Sequence, residues 1–111
     1  MKIVYNRFIP FGCFTAVTIG PWIFVNSKKK LSDKLFRHEC IHVKQAQELG
    51  YIGFYIIYLI EFLIRVIIIR RMYKAYMNIS FEQEAYDNET VDDYLDTRSK
   101  YSWMKYLFKS K

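Results

Sequence analysis

A chain of 111 residues has room for one domain, 1–111, around one core. Hydrophobic residues at 52% against 25% charged exclude a disordered chain. The net charge of +6 comes with no recognisable nucleic-acid motif, so solvated loops and an anionic membrane surface precede nucleic acid as its explanation, and no nucleic-acid partner is expected.

The opening "MKIVYNRFIPFG" lacks the apolar run and small-residue cleavage site of a signal peptide. Two cysteines, Cys13 and Cys40, are too few for a disulfide framework. Both features favour a cytoplasmic location or the cytoplasmic face of a membrane. Phe8 to Val25 carries no charge, but Pro10, Gly12, Gly20 and Pro21 oppose a regular spanning helix. Instead "CFTAVTIGPWIFVN", rich in β-branched and aromatic residues around Gly20-Pro21, predicts a β-hairpin over 14–26, with strands at 14–19 and 22–26.

A basic loop, "NSKKK", leads to Ser32, an N-cap residue with Leu31 and Phe36 placed as a hydrophobic staple. The helix predicted over 32–49 stops at Gly50. It contains "HECIH", with the only two histidines of the chain. Residues four apart share a helix face, so His38 and His42 can present imidazole nitrogens to one metal ion. Glu39 lies too far round to be an easy third ligand, but it can reach a water held by the metal as general base. Shuffling two His and six Glu over this length gives HExxH roughly once in a thousand trials. The bland alternative is an ordinary helix that happens to spell it. Cys40 points away from the histidine face.

A catalytic zinc needs a third protein ligand and an open position. With no third His, a carboxylate must serve, and "SFEQEAYDNE" offers Glu82, Glu84, Asp87 and Glu89. Glu82 and Glu84 stand about 200° apart on a helix, so only one of them can face the metal. Ser80 with Gln83 reads as a capping box opening a helix over 80–97.

HExxH followed by a downstream E-x-x-A-D helix is the pattern of gluzincin metallopeptidases. "HECIH" and "EQEAY" resemble it, with Tyr86 where the family carries Asp. Among gluzincins the chain resembles the soluble minigluzincins and the catalytic core of the membrane prenyl-protein proteases. The resemblance covers about 32–90. It implies Zn2+ held by His38, His42 and Glu82, with Glu39 as base. It also implies a zincin-like minimal scaffold whose upstream strand pairs with an extended peptide or protein substrate. Tyr86 reads as an oxyanion donor or a packing residue, and Gln45 as support for the metal site or a surface residue. Glu84 is the remaining candidate around the metal. The alternative is a small membrane-associated interaction protein with a structural or vestigial metal site.

Residues 51–76 predict one apolar, largely buried helix with Glu61 and Arg65 placed to pair. Its apolar stretch, 51–69, nears spanning length. A single crossing, however, would leave His42 and Glu82 about 30 Å apart on opposite sides of the membrane. A shared metal site therefore requires a core, re-entrant or surface-lying helix, with peripheral membrane contact as one outcome. It also requires a break near Arg70–Met77 or an oblique crossing, because the helix otherwise overshoots the site. The basic, aromatic tail over 99–111 has three readings: packing on the core, anchoring at a membrane, or, by the resemblance, shielding the cleft. The expected fold is mainly α (α+β), with three to four helices and a short N-terminal β-hairpin.

Overall fold

The computed structural model describes residues 2–6, 16–19, 21–26 and 32–109. It is mainly helical with a small N-terminal sheet, as expected. β2 (Ala16–Ile19) and β3 (Trp22–Asn26) form the antiparallel hairpin, in register from Ala16 opposite Val25 to Ile19 opposite Trp22. Residues 14, 15 and 20 of the expected hairpin lie outside the described residues. β1 (Lys2–Asn6), not anticipated from the sequence, pairs in parallel with β3 and makes the order β1-β3-β2. Strand alternation turns Ile23 and Val25 fully inward against α1 (Asp33–Glu48).

α1 begins where the Ser32 hydroxyl accepts the Leu35 N–H at 3.1 Å. The staple partner Leu31 lies outside the described residues. α1 ends where Gly50 adopts φ +67°, letting the Tyr51 N–H reach back to Ala46 O at 2.7 Å. The helix separates two apolar clusters. On one side Cys40 and Val43 pack with Ala16, Ile23 and Val25. On the other, Ala46 packs with Phe54, Ile79, Phe81 and Trp103. Burial pushes the Cys40 thiol up to about 11, as befits a packing residue.

The expected helix over 51–76 is two helices. α2 (Ile52–Ile69) closes with Arg70 in the left-handed region, φ +63°, its N–H on Val66 O at 2.8 Å. α3 (Met72–Asn78) then folds back on α2, which supplies the break that a shared site requires. The expected burial of this segment does not hold. Of the eighteen residues of α2 only Phe54 and Glu61 are buried. Ile52, Ile56, Leu59, Leu63 and Ile67, at i, i+4, i+7, i+11 and i+15, are each more than half exposed, as are Ile60, Ile64 and Ile68. A chain of this length has too few neighbouring elements to cover both sides of such a helix.

Glu61 and Arg65 pair at 3.1 Å and organise the junction of α2, α4 (Ser80–Asn88) and the tail. Glu61 accepts the Ser80 N–H at 2.8 Å and the Ser80 hydroxyl at 2.6 Å. Arg65 donates to Leu107 O at 2.9 Å. The Ser80–Gln83 capping box is therefore not formed. An ionised carboxylate is the stronger acceptor and takes both Ser80 groups, while the Gln83 amide donates to Asn78 O at 2.8 Å. The expected helix over 80–97 is also two: α4 ends at Asn88, whose side-chain amide turns back to Glu84 O, and α5 spans Tyr94–Thr97.

The tail forms a 3-10 turn, Ser102–Tyr106, and Trp103 packs on Phe81 with ring centroids 4.7 Å apart. This is the core-packing outcome. Among the described residues of the tail, none lines the cleft beside the histidines. Replacing Glu61 by Ala leaves the half-buried Arg65 guanidinium with carbonyl acceptors alone and takes both acceptors from the buried Ser80 N–H and hydroxyl at the start of α4. The expected loss is about 3–5 kcal/mol of unfolding free energy in urea titration, and a loss below about 1 kcal/mol would mean that the junction is not held this way.

Candidate metal centre

α1 presents His38 and His42 one turn apart, and α4 brings Glu82 against both. His38 Nε2 and His42 Nε2 each lie 3.1 Å from Glu82 Oε1 and 3.2 Å from one another. All three side chains are buried. Two ligands of one tetrahedral zinc, at about 2.0–2.1 Å each, stand about 3.4 Å apart. The triangle formed by these atoms is close to that size, and the three residues form one group able to hold a metal ion.

The remaining ring nitrogens set the tautomers. His38 Nδ1 meets Glu89 Oε2 at 2.8 Å. An ionised carboxylate only accepts, so Nδ1 carries the proton. His42 Nδ1 meets Gln45 Oε1 at 2.8 Å. The Gln45 amide is oriented by its NH2, which donates to Phe81 O and to Glu84 Oε1, both at 3.0 Å. Its oxygen must therefore accept from His42. With both protons on Nδ1, the two Nε2 lone pairs and a carboxylate oxygen face a common point. Three acceptors so placed repel one another unless a cation sits among them. This donor set, imidazole twice and carboxylate once with the outer nitrogens anchored, suits Zn2+.

The fields agree with that arrangement. Burial pulls the Glu82 carboxyl upward, but the charge that His42 carries in the metal-free chain, together with the close approach of both imidazoles, holds it well below the usual carboxylate range. Burial pulls His42 down, yet Glu82 outweighs it and pushes the imidazole up to about 9. In the metal-free chain a proton fills the role of the cation.

Glu39 projects from the next position of α1 into the same cleft and accepts the Thr18 hydroxyl of β2 at 2.6 Å. Burial raises its pKa, opposed by His42 and by that hydrogen bond. The cleft holds about 320 Å³ and is walled by β2, by Phe54, Tyr55 and Tyr58 of α2, and by Tyr76 of α3. Tyr58 donates to Glu82 Oε2 at 2.6 Å, which leaves Oε1 free toward the histidines.

His38, His42, Glu82 and Glu39 thus share one cleft, and Gln45 supports His42. Glu84 faces the opposite way, fully buried, where it holds Gln45 and receives Tyr94 and Arg98. Tyr86 does not line the cleft. Its ring packs edge-on to His38, centroids 4.4 Å apart, and its hydroxyl meets that of Tyr76 at 3.1 Å. Tyr76 is on the cleft wall instead, beside Tyr55 and Tyr58. Glu89, which the sequence offers as a ligand candidate, instead orients His38. Its position seven residues after Glu82, two turns along the same face, carries that signal. Thr18, Tyr58 and Tyr76 have no local sequence signal, because loops and helix crossings bring them in. Comparison with known protein families, curated proteins and solved structures finds no match to the chain.

One equivalent of Zn2+ is expected to bind and stabilise the fold, by about 4 kcal/mol at a free concentration a thousandfold above its Kd. His42→Ala and Glu82→Ala should abolish the shift in thermal midpoint. Because zinc must displace the proton that His42 holds below about pH 9, apparent affinity should climb about tenfold per pH unit from 7 toward 9 in competition titrations. An affinity flat with pH would contradict this proton count.

Proposed function

We propose that the chain is a small zinc metallopeptidase of gluzincin type acting on a peptide or protein. The carrying observation is the convergence of His38 Nε2, His42 Nε2 and Glu82 Oε1 at the wall of a cleft that also receives Glu39. A purely structural zinc site is closed by four protein ligands, whereas this group offers three among the described residues and opens on a cavity. That difference favours the enzyme over an interaction protein with a structural metal. The Tyr at position 86, where gluzincins carry Asp, is compatible with this reading because Glu89 supplies a carboxylate to His38 Nδ1.

Held by His38, His42 and Glu82, zinc would supply a Lewis acid for the scissile carbonyl and lower the pKa of a water molecule. Glu39, oriented by Thr18, takes the proton of the attacking water and returns it to the leaving amine. Its raised pKa suits a group that must both gain and release a proton. Tyr76, its hydroxyl steadied by Tyr86, faces the cleft as a donor for the developing oxyanion. β2 pairs only with β3 among the described strands, so its other edge can hold an extended peptide beside the cleft. Phe54, Tyr55 and Tyr58 favour an apolar side chain next to the scissile bond.

Glu39→Gln is expected to keep full zinc stoichiometry while lowering peptide turnover by about 10²–10⁴-fold, the usual contribution of a general acid-base group. Zinc measured by atomic absorption, with turnover on a peptide library, checks both halves. Lost zinc or unchanged turnover would remove Glu39 from this role.

A further inference from the structure

The exposed side of α2 is an apolar surface that the described residues leave uncovered. Ile56, Leu59, Ile60, Leu63, Ile64 and Ile67 are each more than half exposed along a helix of about 27 Å. At its end stand Arg70, Arg71 and Lys74, all exposed. Between Glu48 and Glu82 the only acidic residue is Glu61, which is buried and paired with Arg65. The surface is thus apolar along its length and cationic at one end, with no exposed acid.

We propose that this face docks on an anionic lipid bilayer, with α2 lying in the interface plane. The charge pattern selects this occupant. A second copy meeting the first through the same face would set the three cations against three cations if the helices ran parallel and against the apolar start of α2 if they ran antiparallel, with no acid to pair them in either case. Anionic headgroups supply the counter-charge, while the acyl boundary accepts the apolar residues.

α2 is long and apolar enough to cross a bilayer, but its partners oppose crossing. Near its middle Glu61 is bonded to Ser80, and Arg65 to the backbone carbonyl of Leu107. A crossing would drag this polar junction and the exposed Lys105 and Lys109 toward the hydrocarbon centre. Lying flat keeps them on the water side.

Tyr55, itself part of the cleft wall, is 39% exposed and sits one turn from Leu59, so the cleft opens at the edge of the docked face. The substrate class then becomes a peptide segment at the membrane surface. This last step rests on the peptidase reading, whereas lipid binding does not.

The test is flotation of the full chain with vesicles of neutral phosphatidylcholine, with and without phosphatidylserine, and needs no turnover. A failure of docking is therefore separate from a failure of the peptidase reading. Binding should require the anionic lipid and weaken with salt. Arg70→Glu, Arg71→Glu and Lys74→Glu combined should reduce it by on the order of 100-fold or more, and Ile60→Glu with Ile64→Glu should abolish it. Circular dichroism should show both variants folded, since every altered position is exposed. Ile64→Trp fluorescence should be quenched by labels near the headgroups. Quenching strongest at the bilayer centre, absence of binding, or a stable dimer broken by Ile64→Glu would each overturn the proposal.

Discussion

Two imidazole nitrogens and a carboxylate oxygen, all lone-pair donors, are held within 3.2 Å of one another in a buried site. Acceptors do not gather this way without a cation, and keeping them together requires that every competing orientation be blocked. Glu89 fixes one ring, and Gln45 fixes the other. Gln45 is in turn fixed by Glu84, and Arg98 locks Glu84 through its Nε at 2.6 Å while also bridging to Glu48 of α1 at 2.9 Å. The chain of orientation thus runs from the site to the segment after α5 and back to the helix that bears the histidines. Most of the buried polar groups belong to this network or to the Glu61–Ser80 junction that sets the start of α4.

The helix bearing HExxH was legible because its signals are local. Ser32, Gly50 and the four-residue histidine spacing each act within one turn. The hairpin was legible for the same reason, from β-branched residues around Gly-Pro. β1 was not, although Ile3, Val4 and Tyr5 suit a strand, because a five-residue parallel pairing leaves no turn signature. The break at Arg70 had no Gly or Pro to mark it. Geometry asked for either a break or an oblique crossing, since a straight unbroken helix overshoots the site, and the structure has the break. The capping box failed because Glu61, nineteen residues away, outcompeted a local partner for Ser80. Tertiary charge overrode local chemistry there, and no window of sequence could show it.

Glu82 and Glu84 make the same point within one helix. Both are buried, and both are acidic residues near a helix start. Their roles diverge only because two positions of α-helix turn them to opposite sides. Glu82 meets histidines and Tyr58, whereas Glu84 meets Arg98, Tyr94 and Gln45. The first becomes a candidate ligand and the second a strut. Type and spacing narrowed the choice to two residues. What separates them lies in the partners that other elements bring.

α2 shows the converse, a sequence feature that the fold leaves without an internal explanation. One side of the helix is occupied. Phe54 packs on Phe81, Tyr58 holds Glu82, and Glu61 holds Ser80. None of these contacts involves Ile56, Ile60, Ile64 or Ile67, each of which is more than half exposed. A water-facing helix normally places charged residues there, and they would improve solubility at no cost to packing. The proposed docking on a bilayer surface would cover the isoleucine and leucine side chains that this eighteen-residue helix exposes, without disturbing the face that builds the site.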